Sequence, residues 1–122
     1  AITEAIENVL SNAIRFSIDK KVITISTYSK DNFVCVSVKD NGLGISQSDI
    51  EKIFNPFFRS ENAKVKKIDG TGLGLPIVKN IIEEHKGKIL IESTPDLGSN
   101  FILCFPVLSN NERGYNEENI NY

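Results

Sequence analysis

The chain has 122 residues, 40% of them apolar, with a formal net charge of −2 at neutral pH. That length fits one compact domain with one core, and the near-balanced charge supplies no basic field for nucleic acid or an anionic membrane. The apolar runs are strand-length or amphipathic and no signal peptide opens the chain, so a soluble domain without direct membrane contact is expected.

From Ile2 to Phe16, the residues Ile2, Ala5, Ile6, Val9, Leu10, Ala13 and Ile14 recur at helical spacing and predict a helix with that face in the core. Glu4, Asn8 and Asn12 follow one another at i, i+4 and i+8 with Arg15 on the same side, and Asn12 stands nearest the apolar boundary. Taken alone, such a stripe reads as a solvated face. Val22 to Tyr28 and Phe33 to Lys39 alternate as half-buried strands around a polar turn, Ser29-Lys30-Asp31-Asn32, and predict an antiparallel hairpin. Asp40 then ends a strand and opens DNGLGI, where Gly42 and Gly44 permit close backbone approach and Ile45 returns an apolar side chain. A carboxylate fixed there can accept a hydrogen bond from an adenine amino group. Asp-Asn-Gly is equally a plain turn, and the segment alone leaves both readings open.

Ser48 and Glu51 fit a capping box for a short helix carrying Ile50, Ile53 and Phe54 and stopped by Pro56. Residues 60–69 (SENAKVKKID) are polar and aperiodic, a candidate lid in which Lys64, Lys66 and Lys67 either meet phosphates or are merely solvated. Gly70, Gly72 and Gly74 lead into a helix predicted from Leu75 to Lys86, with Pro76 in its first turn and Gly87 past its end. Its free N–H groups and positive dipole end favour phosphates. Lys88 to Thr94 and Phe101 to Val107 read as a second hairpin around Pro95 to Asn100. The domain is therefore expected over 1–108, with 109–122 a disordered polar tail. Cys35 and Cys104 lie in strand-like runs without metal-ligand spacing and read as buried reduced thiols. His85, at a helix end, reads as a partner of the last carbonyls rather than a catalyst.

No GxxxxGK[ST] follows a strand, and GTGLGL lacks the third glycine of the dinucleotide fingerprint, so a P-loop and a Rossmann fold are both disfavoured. The ordered set EAIENVLSNAIRFS, DNGLGI, FNPFFR and GTGLGL instead resembles the ATP-binding catalytic domain of two-component sensor histidine kinases, over about Thr3 to Val107. The resemblance implies a Bergerat-type two-layer α/β sandwich, with about three helices on a mixed, mainly antiparallel sheet. By that likeness the first helix is the N box: Asn12 binds Mg²⁺, Asn8 supports the metal or phosphates, Arg15 contacts phosphate oxygens and Phe16 borders the nucleotide. Asp40 takes the adenine amino group in the G1 box, with Gly42, Gly44 and Ile45 shaping the pocket. Phe54 and Phe57 of the F box anchor the lid, Arg59 reaches the γ-phosphate, and Gly70, Thr71, Gly72, Leu73, Gly74 and Leu75 of the G2 box wrap the phosphates.

Gyrase, MutL and heat-shock chaperone ATPases share this fold and carry a glutamate base where this chain has Asn8. An amide cannot take a proton from water at neutral pH, so hydrolysis is disfavoured and phosphoryl transfer from Mg·ATP to a partner nucleophile is left. The resemblance implies as partners a dimerisation domain carrying the phosphoacceptor histidine, absent from this sequence, and a cognate response regulator, within a membrane-anchored sensor. The strand that family members place before the N box is missing, so a trimmed domain is expected. The alternatives are a serine kinase of the anti-sigma type and a non-catalytic nucleotide-binding interaction module.

Overall fold

The computed structural model describes residues 1–17, 20–56, 58 and 74–107. Helix α1 (Ile2–Phe16) precedes strands β1 (Ile23–Lys30) and β2 (Phe33–Asp40), a four-residue helix α2 (Gln47–Ile50), helix α3 (Gly74–Glu84), and strands β3 (Lys88–Thr94) and β4 (Gly98–Pro106). The strands form one sheet in the order β1-β2-β4-β3, and every described pairing is antiparallel. The two predicted hairpins thus lie side by side, with three helices among the described residues, which is the expected α/β sandwich. The candidate lid at 60–69 and the tail at 109–122 lie outside the described residues.

The first turn is tighter than its sequence suggests. Only Asp31 and Asn32 separate the paired residues Lys30 and Phe33, at φ 50° and 65°. Positive φ at both positions matches the twist of the flanking strands, and Asp and Asn tolerate it better than most residues, so the strands run on through Ser29 and Lys30. Strand β4 likewise starts at Gly98, ahead of the predicted Phe101.

One face of the sheet carries the main core, where Val38, Phe101 and Leu103 meet Ala5, Val9 and Ala13 of α1 and Val78, Ile81 and Ile82 of α3. Strand alternation sends these three strand residues to the same side. Ile2 and Ile14 stay 37% and 46% exposed, which corrects the expectation that the whole apolar row of α1 is core. Its stripe is wider than the surface that β2 and α3 offer it.

Helix ends also differ in detail. Ser46, not Ser48, caps α2, its Oγ accepting the Asp49 N–H at 3.2 Å. The helix stops at Ile50, and Ile53 and Phe54 follow in turns. Helix α3 ends at Glu84 in a Schellman motif, with Lys86 N–H donating to the Glu83 carbonyl (3.0 Å) and Gly87 N–H to that of Ile82 (2.9 Å). Lys86, at φ 57°, takes the left-handed position usually given to glycine. Gly87 is needed for another reason: a Cβ there would strike the Cys104 carbonyl. His85 Nδ1 lies 2.8 Å from the Ile81 carbonyl oxygen, the helix-end role expected of it.

Candidate nucleotide site

Asp40, the last residue of β2, is 8% exposed. Its Oδ1 accepts the Gly42 N–H at 2.8 Å. Burial raises its carboxyl above the ordinary value, against the lowering pull of backbone hydrogen bonds from Gly42 and Ser99. A buried carboxylate of this kind gains from any further donor that reaches it.

The loop after Asp40 is held from three sides. Leu43 N–H donates to the Phe16 carbonyl (3.1 Å), one of the carbonyls left without a partner at the end of α1. A Cβ on Gly42 would run into that same carbonyl, so the close approach of loop and helix requires glycine there. From the other side, Asp96 N–H donates to the Leu43 carbonyl (2.7 Å) and Ile45 N–H to Ser93 Oγ (2.7 Å). Gly44 sits at φ 70°, where a Cβ would meet the Thr94 carbonyl. At the outer edge, Asn41 accepts the Val22 N–H at its Oδ1 (3.1 Å) and donates from Nδ2 to the Lys20 carbonyl (2.7 Å). Helix α1, the DNGLGI loop and the β3–β4 turn thus meet around Asp40.

Sequence reasoning missed Asn41 and Ser93. Asn41 looked like a turn residue and Ser93 like an ordinary strand position, because their partners lie 19–21 and 48 residues away. Ser93 also bonds Ser99 Oγ (2.7 Å) and the Gly98 carbonyl (3.1 Å), which joins the loop to the start of β4.

Along α1, Asn8 and Asn12 are both half-buried while Glu4 and Arg15 are exposed, so the two amides share the apolar boundary that the sequence assigned to Asn12 alone. Phe16 is half-buried beside the DNGLGI loop. Leu75 packs against the main core, and among the described residues outside the helix's own backbone no atom of a non-neighbouring residue lies within 4 Å of where a Cβ on Gly74 would stand. No acidic side chain occupies the first turn of α3, which leaves its positive dipole end uncompensated from within the helix. Phe57, Arg59, Gly70, Thr71, Gly72 and Leu73 lie outside the described residues. No described helix is long and apolar enough to cross a membrane.

A family model described as histidine kinase-, DNA gyrase B- and HSP90-like ATPase matches residues 1–109. The sensor protein RprX of Bacteroides fragilis is 35% identical over 111 residues, 89% of this chain and 21% of that protein. The sensor histidine kinase WalK of Bacillus subtilis is 34% identical over 118 residues, 95% of this chain and 19% of that protein. This chain therefore spans about a fifth of the length of these relatives. Among solved structures, the catalytic domain of histidine kinase ThkA superposes with a TM-score of 0.71 at 37% identity, covering 86% of this chain and 66% of that one. A mycobacterial sensor histidine kinase, MprB, superposes with a TM-score of 0.73 at 28% identity, covering 84% and 68%.

Proposed function

The chain belongs to the histidine kinase-, DNA gyrase B- and HSP90-like ATPase family, and on that premise we propose that it is the ATP-binding catalytic domain of a two-component sensor kinase, donating a γ-phosphoryl group to a histidine on a separate dimerisation domain. The observation that carries the reading is Asp40: a buried carboxylate at a strand end, walled by a loop whose glycines admit no Cβ at Gly42 or Gly44 without collision.

The chain's own groups fit the ligand. Asp40 supplies an acceptor to the adenine amino group, and its ionised form, held by the Gly42 N–H, fixes the base in orientation. Asn12 offers a side-chain carbonyl oxygen suited to Mg²⁺, which keeps most of its ligands as phosphate oxygens and water. Asn8, one turn earlier, supports the same region, and Arg15 adds positive charge for phosphate oxygens. Gly74 and Leu75, at the start of α3, present helix N–H groups to the polyanion. When bound, Mg·ATP supplies the phosphoryl group and the charge neutralisation, and this chain supplies position and electrostatic complementarity. Asn8 stands where a hydrolase would hold an acid, so water is not activated and the phosphoryl group awaits the partner's imidazole.

The wider protein follows from the same reading: a membrane-anchored sensor with this domain in the cytoplasm, its dimerisation domain as phosphoacceptor, and a response regulator downstream. The test is phosphorylation by the complete kinase, with Asn12→Ala and Asp40→Asn. Acid-labile label on histidine that drops at least tenfold in both variants is expected. Normal labelling by Asn12→Ala, or acid-stable phosphoserine on a partner, overturns it.

A further inference from the structure

We propose that Cys35 and Cys104 form a thiol-oxidation site, which a peroxide closes into an intramolecular cross-strand disulfide on the sheet face turned away from the main core. The two residues are direct partners in the β2–β4 register, both are free thiols, and they are only 3% and 5% exposed. Their side chains share a small cluster with Ile102 and Phe33, separate from the core beneath the helices.

Register parity decides the geometry. The two-residue loop makes Lys30 and Phe33 a hydrogen-bonded pair, so odd-numbered residues of β2 bond toward β1 and even-numbered ones toward β4. The bond from Val107 N–H to the Asn32 carbonyl (2.8 Å) follows that parity. Cys35 and Cys104 therefore face each other at a non-hydrogen-bonded position, where opposed Cα atoms stand about 4.5 Å apart and side chains come closest. That spacing lies inside the roughly 4.4–6.8 Å range that a disulfide spans, so closure needs no large backbone movement. Both thiols also sit in the same buried cluster, so they are neighbours before any bond forms.

Access comes through side chains at the two sheet edges. The row across the sheet reads Tyr28, Cys35, Cys104, Lys88. Tyr28 is the β1 register partner of Cys35, and the Lys88 ammonium lies 4.3 Å over the Phe33 ring. Tyr28 and Lys88 are both exposed, so the row that holds the two sulfurs reaches solvent at each end. Rotamer changes of exposed side chains are fast, and a small oxidant can enter where a bulky one cannot.

The chemistry balances with the peroxide alone. One sulfur, as thiolate, attacks a peroxide oxygen: an S–O bond forms, the O–O bond breaks, and hydroxide leaves and takes up the released proton as water. The second sulfur attacks that sulfenic acid: the S–S bond forms, the S–O bond breaks, and a second water departs. Both sulfurs are oxidised and the peroxide is reduced. Burial pushes the Cys104 thiol up to about 11, which keeps thiolate scarce and makes closure slow at neutral pH.

The test treats the folded chain with hydrogen peroxide at about pH 8, where thiolate is more abundant, then unfolds it, alkylates remaining thiols and measures intact mass. The expected product is a monomer lighter by two hydrogens with no alkylation, restored to two alkylatable thiols by dithiothreitol. Cys35→Ser and Cys104→Ser should form no intramolecular bridge, with Cys35→Ala and far-UV circular dichroism as the check that a variant is folded. Two alkylatable thiols after treatment, sulfinic acids, or a disulfide-linked dimer in place of the internal bridge would each overturn the proposal.

Discussion

Gly44→Ala and Gly74→Ala are the same substitution in two glycine boxes, and the structure gives them opposite signs. At Gly44 the backbone is left-handed, φ 70°, which costs a residue with a Cβ about 1–2 kcal/mol. The added Cβ also meets the Thr94 carbonyl, so the loop must draw away from the β3–β4 turn. That withdrawal weakens the 2.7 Å bonds from Asp96 N–H to Leu43 and from Ile45 N–H to Ser93, each contributing about 1 kcal/mol. The sum is a loss of roughly 2–4 kcal/mol, or a fall in Tm on the order of 10 °C for a domain of this size. At Gly74, which begins α3, no described residue beyond the helix and its chain neighbours stands within 4 Å of the new Cβ, and alanine should be neutral or stabilising by up to about 1 kcal/mol. The chain has no Trp, so urea unfolding is best followed by far-UV circular dichroism. A Gly44→Ala midpoint within about 0.5 kcal/mol of the parent, or a Gly74→Ala variant destabilised as much as Gly44→Ala, would refute the reasoning. Titration with a non-hydrolysable ATP analogue separates the site from the fold, since Gly74→Ala should stay folded yet bind several-fold more weakly.

Asp40→Asn tests the adenine contact and carries a pH signature. The raised carboxyl means that the folded chain still holds a proton that the unfolded chain has released, so stability falls as pH rises through the window above the ordinary value of 3.8. The amide of the variant cannot ionise: the Asp40 contribution to that pH slope should vanish, while nucleotide affinity drops about tenfold or more, because with its oxygen on the Gly42 N–H the amide turns an NH2 donor, in place of a carboxylate oxygen, toward the amino group of the base. Lys86→Gly should stabilise the chain by up to about 1 kcal/mol in the same unfolding assay, because it relieves the left-handed strain at φ 57° without touching the nucleotide site.

Much of this architecture was legible because it is local. The period of Ala5, Val9 and Ala13 marked the buried side of α1, and alternation through Val36 and Val38 marked β2, since helix and strand each impose a repeat that a core must respect. Boundaries were less legible where turn chemistry decided them. Asp31 and Asn32 close a two-residue loop only because both take positive φ, and Ser46 rather than Ser48 caps α2 because the chain enters that turn extended. Candidate ligands could be picked by type, since an acid beside glycines and amides on one helix edge are suited to adenine and metal respectively.

The sequence by itself determined the residue kinds, the order of elements and the resemblance that points to Mg·ATP, all of which are written in neighbours a few positions apart. Only the tertiary structure decided what supports the site. The Phe16 carbonyl seats the Leu43 N–H, Asn41 ties the loop to Lys20 and Val22, and Ser93 holds Ile45 from β3. It also placed Cys35 against Cys104, 69 positions away, at a non-hydrogen-bonded pair. Such contacts depend on sheet order and register, which long-range packing fixes and no local pattern encodes.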